Sequence, residues 1–334
     1  MNAAQKDALR LALEGHSFLI LGPAGTGKSF ILSKIAEECS KIGRNVSLTC
    51  TTGISCTVYE ERFHPTTIHK WAGIDDGRHS PQELVELVKC NVKYKNVVER
   101  IRQTDILIID ECSMLSERMF DSLRNVCSIK NTDLLFGGLQ IILCGDFVQL
   151  PPVPNVLFNE EGKFCFEHEL FLKICPHRVI LTDVIRQSEP LLIQAISEIS
   201  LGKVTDEMLS YMNSLNRPLE DNTRTSVKLF ARNDLVDDFN RNSIIHWPGQ
   251  LVQCKAIDSG ERKYLDRILA PKTLWIKEGC PVILLKNLSD KLVNGLQGKV
   301  VSTNEKGPTI EFPSIGLTTL LKTERFSGTI LHFL

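Results

Sequence analysis

The sequence predicts an α/β protein: a parallel β-sheet with crossover helices and a phosphate-binding loop, followed by a second domain. Three observations predict it. Short apolar runs alternate with helix-patterned stretches through the first half of the chain. Most of these runs are continuously apolar rather than alternating, as strands covered on both faces are. The first run, SFLIL, leads directly into the glycine-rich stretch GPAGTGKS and then into a helical pattern. Alternation of this kind returns the chain to one sheet through right-handed crossovers, so its strands lie parallel.

The strand candidates in order are SFLIL (17–21), NVSLTC (45–50), DILIID (105–110) and QIILCG (140–145). KSFILSKIAEECSKIG carries Ile31, Ile35 and Cys39 at helical spacing and stops at Gly43. The segment from about Pro81 to Gln103 is charged and helical. MLSERMFDSLRNVCSI repeats Leu115, Met119, Leu123 and Val126 at similar spacing. After Arg178 the pattern changes: RVILTDVIRQ and VKLFARN read as new strands, and later strands carry more Gly, Asn and Pro. NGLQGK (294–299) reads as a tight turn between two strands. A boundary near Gln187 gives a first domain over residues 1–187 and a second over 188–334.

Composition narrows the function classes. The 334 residues are 43% hydrophobic and 24% charged, with 39 basic against 40 acidic side chains and a net charge of −1. No global basic field advertises nucleic acid or membrane, so any such site must be a local groove. No apolar run reaches the ~18–20 residues of a membrane span. The opening MNAAQKDALRLALEG reads as neither a secretory signal nor an Arg-rich transit peptide. Eleven cysteines without a Cys-x-x-Cys pair are then expected to be reduced and mostly buried. Cys165, His168, Cys175 and His177 lie close in sequence, but their spacing fits no familiar zinc pattern.

Chemistry concentrates in the first domain. Gly22, Pro23, Ala24, Gly25, Thr26, Gly27, Lys28 and Ser29 spell G-x-x-x-x-G-K-S between a strand and a helix, the context a phosphate loop requires. The glycines let backbone N–H groups turn inward around a phosphate, and the helix behind points its positive end there. Lys28 would reach the β- and γ-phosphates, and Ser29 would ligate Mg²⁺. The run ILIIDECSM adds Asp110 to hold the metal shell and Glu111 to orient and deprotonate an attacking water. Gln149, in GDFVQLPP, either senses the γ-phosphate or sits on a surface loop. Thr51, Thr52, Ser55, Thr66, Thr67, His69 and Trp71 offer hydroxyls for phosphates and an aromatic for base stacking. His69 and Trp71 can equally be packing residues.

These stretches also carry a resemblance. GPAGTGKS, TTGIS…HPTTIHKWAGI, IIDECSM, GGLQIILCGDFVQLPPV, VIRQ and LLKNLSDKLVNGLQGKVV follow the order of motifs in the PIF-type (petite integration frequency) DNA helicases, superfamily 1B relatives of RecD. The resemblance runs from Gln5 to about Val301. It implies a pair of RecA-like motor domains and ATP-driven 5′-to-3′ translocation on single-stranded DNA, with unwinding at duplex junctions. It further implies work in DNA repair, recombination and telomere maintenance, in the nucleus or mitochondrion. ATP and Mg²⁺ are the implied cofactors. By position, Gln5 would read adenine, and Arg186 would reach the γ-phosphate across a cleft from the opposite wall.

One departure stands out. The family's HKSQG-like and ALSR-like closing motifs do not occur, and Arg262, Arg267 and Arg325 sit in no matching context. The chain ends at SGTILHFL, about where the family's inserted small barrel is expected to begin. The second RecA-like domain is therefore expected to be incomplete, with only the start of that β-rich element. Three functions compete: a helicase motor, an ATP-binding module that does not unwind, and an unrelated P-loop enzyme. The absence of an Asn-Lys-x-Asp guanine reader disfavours a GTPase.

Overall fold

Asn2 opens the fold as a helix cap. Its side chain accepts from the Gln5 amide at 2.9 Å while the Asn2 amide donates to the Gln5 side-chain oxygen, a capping box that starts α1 (Ala3–Leu13). Strand β1 (Phe18–Leu21) follows, then α2 (Lys28–Lys41), which buries Ile31, Leu32, Ile35 and Cys39 on one face. The chain continues through β2 (Val46–Cys50), α3 (Gly53–Cys56), β3 (Thr66–Thr67), α4 (Ile68–Ala72), α5 (Pro81–Cys90) and α6 (Lys95–Gln103). Next come β4 (Ile106–Asp110), α7 (Glu117–Cys127), β5 (Gln140–Gly145), α8 (Phe171–Ile174), β6 (His177–Ile180), α9 (Pro190–Ser200) and α10 (Asp206–Ser214). This computed structural model describes residues 1–74, 77–217, 227–259, 270–289, 291–305 and 307–322.

The six strands form one parallel sheet in the order β3-β2-β4-β5-β1-β6. Central β4 and β5 are buried at every residue. Alternate residues feed two cores. Leu107, Ile109, Ile141 and Leu143 join Trp71, Ile101 and Phe120 on one face. Ile106, Ile108, Ile142 and Cys144 join Phe18, Ile20, Ile31 and Ile35 on the other. A sheet burying both faces needs apolar residues at both parities, which explains the unbroken runs in the sequence.

Contacts divide the chain into Met1–Arg217 and Pro218–Leu334, where the sequence reading places a boundary near Gln187. The helices α9 and α10 belong to the first unit and pack on each other through Ala195 and Met208. The second unit holds α11 (Asn233–His246), the antiparallel pair β7 (Val252–Lys255) and β8 (Thr273–Ile276), and an antiparallel sheet. That sheet comprises β9 (Pro281–Ile283), β10 (Gln297–Asn304), β11 (Gly307–Phe312) and β12 (Leu317–Leu320) in the order β12-β11-β10-β9. Ile276, Leu284, Leu296, Val300, Ile310 and Phe312 are its core.

Three local expectations change. VKLFARN forms no strand; its last residue, Asn233, already begins α11. Only the first part of RVILTDVIRQ is a strand, because beyond Ile180 the chain leaves the sheet to run beside the phosphate loop. NGLQGK is not a simple hairpin turn: Gly298 lies inside β10, where a Cβ would stand 2.6 Å from the Ile310 side chain. Arg262, Arg267, Arg325 and the closing SGTILHFL fall outside the described residues. All eleven cysteines are free thiols, and all but Cys90 and Cys254 are buried. Among the described residues no helix is long and apolar enough to cross a membrane.

Candidate active site

The glycine-rich loop leaves β1 and turns into α2. Gly25 and Gly27 take φ of +84° and +83°, a left-handed region that side chains resist. Gly27 is also the cap residue of α2 and supplies no capping side chain, so the first-turn amides of this 14-residue helix keep their donors for a phosphate. Lys28, 9% exposed, lies across the loop, with Nζ donating to the carbonyls of Gly22 at 2.8 Å and Pro23 at 3.1 Å. Thr26 is buried, and its hydroxyl donates to Pro23 at 2.9 Å. Ser29 stands half-buried on the first turn of α2, while Pro23 and Ala24 are exposed.

Asp110 is the last residue of β4, two strands from β1 with β5 between them. It is 3% exposed. The Glu111 amide donates to its Oδ1 at 2.9 Å, and the Tyr59 hydroxyl donates to its Oδ2. Burial pushes its pKa up and makes it a weaker acid, against the opposing pull of Tyr59, the Glu111 amide and the Lys28 charge. Glu111 follows in the left-handed region at φ +56°. Burial, and then the Asp110 and Asp146 charges, push the Glu111 carboxyl up too, while Lys28 pulls it down. One ammonium thus acts on both carboxylates. The donor set of glycine loop, helix amides, lysine, serine hydroxyl and buried carboxylate fits a nucleotide polyphosphate with Mg²⁺.

The remaining expected residues distribute unevenly. Gln5 is buried beneath the loop, with Nε2 3.5 Å from the Thr26 carbonyl. Gln149 is exposed beyond β5 and donates to Asp146 at 3.0 Å. Arg186 requires a correction. It belongs to the same unit as the loop, not to an opposite wall, because its backbone and that of Ile185 both donate to the Gly25 carbonyl. A Cβ on Gly25 would lie 2.9 Å from the Arg186 Cβ, so the two segments run in close contact.

The Thr51–Trp71 segment splits. The Thr51 hydroxyl donates to the Glu111 carbonyl at 3.0 Å, beside the site. Thr52 caps α3 and shares its hydroxyl with Ser55 at 2.7 Å. Thr66 pairs with Thr49 across the sheet, and Thr67 caps α4. His69 is partly buried, which pushes its imidazole pKa down. Trp71 is the second correction: at 1% exposure it lies in the core with Ile68, Tyr94 and Ile101, so no base can stack on it here. Cys165, His168, Cys175 and His177 also go separate ways. Cys165 faces Cys112, His168 faces Asp121, and His177 meets the His16 ring. Tyr59, Cys144 and Asp146 join the site unannounced. Asp146 stands in the GDF stretch and was open to notice, whereas nothing local marks Tyr59.

Comparison with known proteins fixes the family. The PIF1-like helicase model matches residues 1–205. The chain belongs to the PIF1-like helicase family. The model of the DNA helicase Pif1 2B domain matches residues 265–302, which include β8, β9 and most of β10. The chain is 34% identical to the ATP-dependent DNA helicase PIF1 of Emericella nidulans over 90% of its own length and 41% of that protein. It is 34% identical to the ATP-dependent DNA helicase RRM3 of Saccharomyces cerevisiae, covering 84% and 39%. With the Xenopus laevis PIF1 the figures are 31%, 98% and 51%. The chain thus spans about half, or less, of the curated relatives it matches. The crystal structure of Pif1 helicase from Candida albicans superposes with a TM-score of 0.79 at 28% identity, over 96% of this chain and 78% of that one. Bacteroides Pif1 bound to single-stranded DNA gives 0.77 at 23% identity, over 96% and 74%. The fold of this PIF1-like chain is accordingly RecA-like α/β.

Proposed function

We propose that this chain is the ATP-hydrolysing part of a DNA helicase, which couples turnover to 5′-to-3′ movement on single-stranded DNA and to opening of duplex junctions. The observation that carries the reading is the meeting of the phosphate loop with Asp110 and Glu111 in one sheet, with Lys28 acting on both carboxylates. Lys28, the loop amides and the α2 N-terminus would hold the triphosphate, and Ser29 and Asp110 would hold Mg²⁺. Bound metal supplies charge neutralisation at the phosphates. Glu111, with its carboxyl shifted toward neutrality, accepts the proton of the attacking water. Relatives of the same family have been solved with ADP-AlF3 and single-stranded DNA and at forked duplex DNA, which supports this nucleotide and this substrate class. Roles in repair, recombination and telomere maintenance follow the same resemblance.

The test is ATP turnover by the 334-residue chain with and without single-stranded DNA. Stimulation by DNA, lost in Lys28→Ala together with nucleotide binding, is the expected result. Turnover indifferent to DNA would assign the chain to an ATP-binding module without unwinding. Unchanged Mg·ATP affinity and turnover in Lys28→Ala would remove the ATP site itself.

A further inference from the structure

Tyr59 lies on the turn that leaves α3, within the segment whose hydroxyls the sequence assigns to DNA. It is 6% exposed and packs with Cys50, Cys56 and Ile108. Its hydroxyl donates to Oδ2 of Asp110, 51 positions further along the chain. The backbone amide of Glu111 donates to the other oxygen, Oδ1. Both carboxylate oxygens are therefore held, one by the residue's own neighbour and one by a phenol brought in from another loop. A carboxylate offers about four lone-pair sites, so these two donors, together with the Cys144 thiol beside them, still leave a direction open to a metal shell. The same loop sends a second bond: the Thr51 hydroxyl donates to the Glu111 carbonyl at 3.0 Å. Each residue of the acidic pair is braced from the Thr51–Tyr59 stretch.

We propose that Tyr59 is a positioning residue for the metal-holding carboxylate, fixing the orientation of Asp110 toward Mg²⁺ from the loop that precedes β3. The inference rests on reading Asp110 as the metal-holding residue. Partners of this kind set ligand orientation, and their loss weakens metal affinity or activity by about 10–100-fold in metalloproteins. A buried phenol that served packing alone would find its hydroxyl an acceptor without touching metal affinity.

The experiment uses Tyr59→Phe, which removes one oxygen and keeps the ring. Mn²⁺, a paramagnetic stand-in for Mg²⁺, is titrated into the chain with a non-hydrolysable ATP analogue and followed by electron paramagnetic resonance. In parallel, ATP turnover is titrated with Mg²⁺ and the melting temperature is recorded. The expected result is a Kd for Mn²⁺ raised by about 10-fold or more. The half-saturating Mg²⁺ should rise by a similar factor, with kcat restored at saturating Mg²⁺. An unchanged Kd for Mn²⁺ overturns the proposal, whether or not the melting temperature falls. Asp110→Asn separates the two readings. If that variant binds Mn²⁺ like the parent, the assignment of Asp110 fails; if it loses Mn²⁺ while Tyr59→Phe does not, only the role of Tyr59 fails.

Discussion

Glu111 combines a left-handed backbone with a half-buried carboxyl beside a second acid. A non-glycine residue held there costs on the order of 1–3 kcal/mol, and here bonds at both its amide and its carbonyl keep it in place. Glu111→Gln should leave ATP binding intact and lower kcat by roughly 10²-fold or more, as removal of a general base does. Its raised pKa also sets a pH dependence. With Glu111 as the proposed base, turnover takes the ionised form, so the acidic limb of kcat should lie above the ~4.3 of an ordinary glutamate, and that limb belongs to the Asp110–Glu111 pair jointly. Asp110 has a consequence for stability. Its pKa is raised in the folded chain, so the folded state holds that proton more tightly than the unfolded state does. The ionised side chain therefore destabilises the fold at neutral pH, and the penalty is relieved as pH falls through the folded value. Asp110→Asn should melt higher than the parent at neutral pH, with the gap closing at mildly acidic pH; equal melting curves at both would contradict this. The phosphate loop and the acidic pair were legible in the sequence because each is local: the residues that matter are adjacent and sit at a strand end. Tyr59 was not, since its role depends on a partner 51 positions away.

Helices and strands were legible where periodicity alone decides them, as in α2 and in the fully buried β4 and β5. Side-chain direction within an element was harder to read. Trp71 stands on the short helix α4, and only the packing of α4 against α6 and α7 turns its ring inward. Trp71→Ala should thus cost about 3–5 kcal/mol of stability, the range for emptying an aromatic core site. Its affinity for single-stranded DNA, per folded molecule, should stay at the parent level; a selective loss of DNA binding in a normally stable variant would return Trp71 to a groove. Arg186 was misplaced for a related reason. The family resemblance put it on a facing wall, whereas its backbone bonds to Gly25 make it part of the loop's own surroundings. VKLFARN had strand composition but the structure gives it no strand, because β-branched and aromatic content measures fit to a sheet rather than an intrinsic backbone preference.

At the scale of the whole molecule, a net charge of −1 supplies little long-range attraction for DNA. Binding must then rest on a small number of close phosphate contacts. Single-stranded DNA affinity should fall with salt at a slope of about −0.7 per phosphate neutralised, and a filter-binding titration across salt concentrations measures it; a steep slope, implying many contacts, would require a basic surface the composition does not advertise. The sheet order carries a different kind of consequence. Strand β1, which delivers the phosphate loop, pairs only with β5 and β6. The bond from the Ile141 amide to Ser17 beside it spans 124 positions. The ribosome makes β1 well before β5 and β6, so the loop emerges ahead of the strands that flank it. Such distant pairings form slowly and leave apolar strands uncovered meanwhile. Pulse proteolysis of stalled nascent chains should show β1 cleavable until Ile180 has cleared the tunnel, and protected only afterwards: the most local sequence signature depends on distant partners to become a structure.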